Sequence, residues 1–303
     1  MNDRGMKLVS VVIPTFNRAA TLGRAIESVL LQDYSNIELI IVDDGSTDRT
    51  RDVVSAFGDE RIKLIIHDRN KGVGAARNTG IEAASAAIVA FQDSDDEWLQ
   101  GKLSTQVRAL EDAGAACVLV YCTKIVYGRD EHYRRGRRRA VCMPGPEETQ
   151  LSGDLREFLW RNHVISTQTM LVRTDALRRI GGFDTRLYNS EEWDLAIRLS
   201  ELGPFAFVDE PLVNNYIQKD SISTLSRKAP YSQLIITNKL KRGGVPAGVL
   251  ADRWAGLGGR LGRLGFPRRG EVLLRAALAA RPLRAKTWGQ FFVNRLRRLR
   301  QAR

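Results

Sequence analysis

Asp93-Ser94-Asp95-Asp96 places three carboxylates within four residues. That cluster is electrostatically costly unless a cation sits among its oxygens. Hard oxygen ligands of this kind suit Mg2+ or Mn2+ held jointly with a substrate's phosphates. The same residues also read as a solvated acidic turn capping a helix that begins near Trp98. A second pair, Asp43-Asp44, stands before Gly45-Ser46. Asp44 can accept from a base imide or a ribose hydroxyl, or the segment can serve only as a turn and helix cap. Asn70-Lys71-Gly72-Val73-Gly74-Ala75-Ala76-Arg77-Asn78 offers glycines for close backbone approach and a guanidinium for phosphate. Arg77 stands where a dinucleotide fingerprint carries its third glycine, and the segment follows the third strand rather than the first. Both features argue against a nicotinamide site.

The elements that must position these residues alternate. Leu8–Ile13 is a β-branched run stopped by Pro14, and Leu22, Ile26, Val29 and Leu30 then recur at helical spacing. Ile37–Val42 is a second strand, followed by a helix capped by Thr47 or Asp48 and carrying Val53, Val54 and Phe57. Ile62–Ile66, Gly74–Ala84 and Ala87–Phe91 continue as strand, helix and strand. Such alternation predicts a mostly parallel α/β sheet with helices on both faces, whose ligands lie beyond the carboxyl ends of the strands. Those ends carry Thr15-Phe16-Asn17, Asp43-Asp44-Gly45 and Asp93–Asp96, so carboxylates at neighbouring strand ends make a site. Further on, Cys117–Tyr127 and Thr167–Val172 read as strands, Leu151–Trp160 and Trp193–Leu202 as helices, and the arginine-rich 129–139 stretch as a loop. Beyond Ser232 the pattern becomes short Arg-rich helices broken at Gly243-Gly244, Gly258-Gly259 and Pro267.

Taken together these segments resemble the inverting glycosyltransferases of family two, with the glycosyltransferase A fold, a Rossmann-like sheet. The stretches that carry the resemblance are Val9–Arg18, Ile41–Asp48, Gly74–Ile81 and Gln92–Trp98, followed by Gly181-Gly182-Phe183-Asp184 and Glu191-Glu192-Trp193-Asp194-Leu195. The resemblance covers residues 8–225. It implies a metal-dependent transfer of a sugar from a nucleotide diphosphate, UDP by family habit, to a hydroxyl of a glycan or glycolipid in cell-surface polysaccharide synthesis. Asp95 would hold the Mg2+ or Mn2+, with Asp96 an alternative ligand. Asp93 would face the ribose or a metal-bound water, Asp44 the base, Arg77 the diphosphate, and the Pro14-Thr15 backbone the nucleotide. The base that deprotonates the acceptor is the aspartate of a Glu-Asp pair in most of the family. Glu192 occupies that place here after Glu191, so the assignment lies between the two. Gln218 stands where many relatives have a histidine, and Lys219 and Arg227 can supply charge instead. His163 lines the acceptor pocket or packs structurally. Residues 1–231 are expected to form the catalytic domain, with a nucleotide-binding half at 8–100 and an acceptor-binding half at 101–231. Residues 232–303 form a basic helical extension.

The charge is uneven. Of a formal net +12, the residues from Lys241 onward hold sixteen Lys/Arg against two acids, which leaves the first 240 at −2. An anionic partner is thus expected for the extension alone. Trp288, Phe291, Phe292, Leu296 and Leu299 fall on one helical face, with Arg295, Arg297, Arg298 and Arg300 around the rest. That is the pattern of a helix lying in an anionic membrane surface, and also of one packed on the body with a basic outer face. The near-neutral body lacks a nucleic-acid motif or stacking platform, so no nucleic acid is expected. Three cysteines without a Cys-x-x-Cys pair, and no signal-like start, point to a cytoplasmic protein, peripheral to the membrane. Two other readings exist: a non-catalytic nucleotide-sugar scaffold, conceivable from Glu192 and Gln218, and a sugar-phosphate nucleotidyltransferase. The second needs a glycine-rich, Arg-bearing loop after the first strand, which Pro14-Thr15-Phe16-Asn17 is not.

Overall fold

Alternate residues of the first two strands face opposite layers, and this sets the architecture. In the computed structural model, which describes residues 6–128, 139–145, 147–217 and 229–301, β1 (Val9–Thr15) is buried throughout. Val9, Val11 and Ile13 join one apolar cluster with Leu39 and Ile41 of β2 (Ile37–Asp43), Leu22, Ile26 and Val29 of α1 (Leu22–Leu30), and Leu103, Val107 and Leu110 of α4 (Lys102–Asp112). Val12 faces α3 (Val73–Ala83), where a Cβ on Gly80 would meet Val12 Cγ1 at 2.3 Å. Only glycine lets that helix approach the strand so closely.

The sheet has nine strands in the order β3-β2-β1-β4-β8-β6-β9-β5, with β7 paired to β6. Here β3 is Ile62–Ile66, β4 Ile88–Phe91, β5 Glu97–Trp98, β6 Leu119–Gly128, β7 Arg139–Met143, β8 Leu171–Arg173 and β9 Phe205–Tyr216. Strands β1 to β4 are mutually parallel, β8 runs antiparallel between β4 and β6, and β6 and β9 pair in parallel. The expected glycosyltransferase A architecture is therefore present: a mostly parallel sheet with flanking helices and a basic helical C-terminal segment. Helices α2 (Thr50–Ser55), α5 (Arg156–Leu159), α6 (Thr174–Arg179) and α7 (Glu191–Ser200) complete this part.

Local departures have identifiable causes. Strand β1 continues through Pro14 to Thr15. Val12 O accepts from Gln92 N on the β4 side, and Pro14 presents its missing donor to that same side after the β4 ladder has ended. The Thr167–Val172 strand starts late, because Thr167–Thr169 form a 3-10 turn. The Leu151–Trp160 helix shrinks to four residues. Of the 129–139 stretch expected as a loop, Arg139 opens strand β7, whose remaining residues carried no assignment from the sequence, while residues 129–138 lie outside the described residues, as do Gln218, Lys219 and Arg227. Strand β9 was not anticipated, because Asp209-Glu210-Pro211 interrupts its apolar pattern.

The chain forms two compact units, the second comprising residues 160–162, 186–190 and 222–303. Within it Arg253 donates to Trp160 O and Thr237 Oγ1 at 3.2 and 3.1 Å, and Tyr188 N donates to Ser232 Oγ at 3.0 Å. Its described helices are α8 (Ala229–Arg242), α9 (Ala247–Arg263), α10 (Pro267–Ala280) and α11 (Ala285–Gln301). Gly243-Gly244 ends α8 and Pro267 opens α10, but Gly258-Gly259 does not break α9. Those residues instead bring two helices into near contact: a Cβ on Gly258 would sit 2.8 Å from Gly270 O, and one on Gly270 2.4 Å from Gly258 O. Replacing Gly270 with Ala should force these backbones apart and destabilise the unit by about 1–3 kcal/mol, read by thermal unfolding. An unchanged transition would contradict this packing.

Candidate active site

The site is built at the carboxyl ends of β1, β2 and β4. The first two ends are laced together: Asn17, held at φ 51°, donates its N–H to Ser46 Oγ at 2.9 Å, and its Oδ1 accepts from Thr47 N at 2.9 Å. Asp44 N donates to Thr15 O at 2.8 Å. Asp43 is fully buried and accepts from Arg51 Nε at 2.6 Å and Ser46 N at 2.8 Å. Burial would raise its pKa, but these bonds hold its carboxyl below the usual range.

Asp44 is also enclosed. Its Oδ1 accepts from Lys71 N and contacts His67 Nδ1, at 2.8 and 2.7 Å, and its Oδ2 accepts from Gly72 N at 2.8 Å. The far nitrogen of His67 lies 3.0 Å from Thr79 Oγ1 on α3. Asp44 thus closes the turn that launches α3, a turn in which Gly72 takes φ 93°. With three of about four acceptor sites used, little of this carboxylate remains for a base. His67 escaped sequence reading because a single histidine at a strand end carries no spacing signal.

Arg77 joins the two halves of the site. From α3 it donates through one terminal nitrogen to Asp93 Oδ1 at 2.8 Å and through the other to Glu191 Oε1 at 2.7 Å. Its guanidinium lies over the Phe183 ring at 5.2 Å. The residue is buried, and burial opposes its charge, but the two carboxylates outweigh that and raise its pKa. It therefore meets acids on two sides rather than an open phosphate position.

The three acidic residues of 93–96 diverge. Asp93 and Asp95 keep 26% and 21% of their side-chain surface exposed. Asp96 is 1% exposed and accepts from Gln168 Nε2, Asn215 Nδ2 and Tyr216 N at 2.8–2.9 Å. Burial raises its pKa to about 7, with the charges of Asp93 and Asp95 adding to the effect. Expected as an alternative metal ligand, Asp96 instead turns inward and ties β4's end to β9. Among the described residues no three His, Cys, Asp or Glu side chains are arranged to hold a metal by themselves. The partly exposed Asp93–Asp95 pair, and the repulsion its charges exert on Asp96, fit a hard cation shared with an anionic ligand rather than a closed protein cage. Nearby polar groups fit such a ligand too: Thr15 Oγ1, both amide atoms of Gln92 and Arg77 Nε are buried without a partner.

Cations missed in the sequence surround this mouth. Arg18 approaches Asp95 Oδ2 at 4.0 Å, and Arg24 donates to Asp95 O at 2.6 Å while covering the Tyr216 ring at 4.2 Å. Lys124 on β6 donates to Asn215 Oδ1 at 3.3 Å. Burial lowers its pKa against the pull of Asp96, Asp93 and Glu192. Only the pairing of β6 with β9 brings it here.

Glu191 and Glu192 open α7, where the helix N-terminus favours negative charge. Burial and the charge of Glu192 raise the pKa of Glu191 despite Arg77. Glu192 Oε1 lies 2.8 Å from His163 Nε2. Burial would raise its pKa too, but His163 overcomes this and holds it at about 2.

A sequence model described as Glycosyl transferase family 2 matches residues 10–181, more than half of the chain. The chain belongs to glycosyl transferase family 2. It is 46% identical over 100 residues to an Escherichia coli protein named UDP-Glc:alpha-D-GlcNAc-diphosphoundecaprenol beta-1,3-glucosyltransferase WfgD, a match covering 33% of this chain and 40% of that protein. The chain spans less than two thirds of the length of this and other curated relatives it matches, 40–64% for three of them. Its fold is similar to that of S. aureus TarS 1–349 in complex with UDP-GlcNAc, with TM-score 0.68 and 17% identity over 98% of this chain and 93% of that one. Mannosyltransferase PcManGT from Pyrobaculum calidifontis, in complex with GDP-Man and Mn2+, gives TM-score 0.62 and 20% identity over 98% and 87%.

Replacing Arg77 with Met in this family 2 chain should leave the buried Glu191 and the half-buried Asp93 unpaired and cost about 3–5 kcal/mol in chemical denaturation. Adding Glu191→Gln should recover part of the loss. Equal stability of all three proteins would show that the bridge does not form.

Proposed function

We propose that this chain transfers a sugar, with inversion, from a nucleotide diphosphate donor to a hydroxyl of a glycan or lipid-linked glycan acceptor. The observation that carries this reading is the single guanidinium of Arg77 tied to Asp93 at a strand end and to Glu191 on α7. Donor-side and acceptor-side acids are thereby fixed against each other, as a one-step displacement needs. The Pro14–Thr15 end of β1, beside the Asp44-closed turn, holds the nucleotide, and Asp44 acts by ordering that turn and by the acceptor site it retains.

Asp95 and Asp93 would hold Mg2+ or Mn2+ together with the diphosphate, which is consistent with the Mn2+ in the mannosyltransferase of similar fold. A bound divalent ion would supply charge neutralisation for the leaving diphosphate. Arg18, Arg24 and Lys124 add positive charge at the same mouth. Arg77 orients Asp93, and removal of the acceptor proton centres on Glu192, because Glu191 is engaged by Arg77. UDP is the favoured nucleotide: the E. coli relative is named for UDP-Glc, and the TarS complex holds UDP-GlcNAc.

Calorimetric titration of UDP, with GDP and dTDP as controls and with or without Mn2+, tests the donor site. UDP should bind more tightly with Mn2+, and Asp95→Asn should weaken that binding by about tenfold, equivalent to about 1.4 kcal/mol. Absence of nucleotide binding under every condition would overturn the transferase reading.

The acceptor reading extends to the membrane. Among the described residues no helix is long and apolar enough to cross one. On α11, Thr287, Phe291 and Asn294 are buried, Phe291 against Leu274 and Leu278, while Trp288, Phe292, Val293, Leu296 and Leu299 are exposed. Leu283, just before the helix, is 97% exposed. This outer stripe, flanked by Arg295 and Arg300, suits the boundary of an anionic bilayer, each basic residue contributing about 1 kcal/mol. The protein should float with vesicles containing phosphatidylglycerol and not with phosphatidylcholine alone, and Phe292→Glu with Leu296→Glu should abolish flotation. Flotation unaffected by these changes would assign membrane contact elsewhere.

A further inference from the structure

The second unit holds a cleft that the transfer reaction does not use. It is an open cavity of about 270 Å3 between α9 and α11, and three cations line it: Arg263 from α9, and Lys286 and Arg297 from α11. No carboxylate lines it. From Lys241 onward the chain has only Asp252 and Glu271, and both are engaged elsewhere. Asp252 pairs with Arg161, Arg281 and Arg284, and Glu271 with Arg275 and Arg298. Among the described residues no acid therefore pairs with Arg263, Lys286 or Arg297, although Arg297 is half-buried. Like charges gathered at one concavity repel unless an anion enters.

Glycines keep the cleft open on both walls. On α9 a Cβ at Gly259 would stand 3.2 Å from Gln290 Nε2 and 3.7 Å from Arg263 Nη1, so a larger residue would crowd the Gln290 amide. On α11 Gly289 lines the cleft, and a Cβ there would meet nothing within 4 Å. Glycine inside a helix costs stability relative to alanine, and packing within this chain does not call for it at position 289. What it leaves is room. Lys286, Gly289, Gln290, Val293 and Arg297 share one face of α11 by their spacing, and Val293 is exposed beside the outward row of Trp288, Phe292 and Leu296. Two guanidinium forks, an ammonium and an amide suit the oxygens of a phosphate. The cavity is larger than a bare phosphate fills, and at Val293 its border passes into apolar surface. We infer that this cleft binds the phosphodiester headgroup of an anionic lipid, whose acyl chains lie along the row of Trp288, Phe292 and Leu296. Such a site rests on the membrane reading of α11 and adds to it a defined place for one lipid molecule.

The test is calorimetric titration of the full chain with dihexanoyl phosphatidylglycerol, kept below its micelle-forming concentration so that no membrane surface is present. Dihexanoyl phosphatidylcholine and inorganic phosphate serve as controls. Phosphatidylglycerol should bind one molecule per chain, more tightly than either control. Gly289→Leu, which fills the cleft without changing charge, should weaken that binding about tenfold, and so should Lys286→Gln combined with Arg297→Gln. Arg295→Gln, which removes a cation outside the cleft, should change it by less than about twofold. Binding that survives both cleft variants, or that Arg295→Gln weakens equally, would overturn the site. Inorganic phosphate binding as tightly as the lipid would overturn the lipid assignment and make the cleft a site for soluble phosphate. Flotation of the wild type with phosphatidylglycerol vesicles separates the two readings. Flotation without saturable binding of the short-chain lipid overturns the cleft alone, whereas no flotation overturns the membrane reading itself.

Discussion

The arrangement depends on one buried guanidinium. Arg77 leaves α3 with acids on two sides, Asp93 from the end of β4 and Glu191 from the start of α7, residues 16 and 114 positions away in the chain. Removing a guanidinium from water is costly, and so is removing either carboxylate. The three are stable only as a set, each satisfying the others in fixed geometry. Such a bridge adds little net stability compared with apolar packing, but it transmits position: where Asp93 goes, Glu191 must follow. A lysine would meet only one of the two acids, because it lacks the planar fork.

Burial divides the work among the strand-end carboxylates. Asp43 and Asp44 order the β2 turn and the entry to α3, and Asp96 joins β4 to β9 through Asn215 and Tyr216 N. Asp93 and Asp95 keep a share of their surface at the mouth. Five chemically identical side chains near one another thus divide into framework and ligand-facing roles, and what separates them is how many backbone and amide donors surround each.

The C-terminal helices show the same division on an apolar scale. Helix α11 directs Thr287, Phe291 and Asn294 into its own unit, where Gly258, Gly262 and Gly270 make room for neighbouring helices, and leaves a second apolar row outside. Sequence periodicity places both rows on one broad face. A single face wider than one partner can cover has to be split, and the glycine contacts determine which half packs.

By itself the sequence determined the βα alternation, the succession of the first four strands along the chain and the placement of acids at their ends. All of these follow from local periodicity and from the polarity reversal where a buried strand meets solvent. The Glu191–Glu192 pair and the basic tail were equally legible, being contiguous. Only the tertiary structure decided what each acid does. Asp96 turns inward because strand β9, hidden from pattern reading by Asp209-Glu210-Pro211, supplies its donors. Lys124 enters the site because β6 pairs with β9, and His163 meets Glu192 from 29 positions away in the chain. The physical reason is common to these cases. Hydrophobic period is a property of neighbours in sequence, whereas the partner of a buried charge is set by which strands pair and which helix ends converge, contacts that leave no local trace.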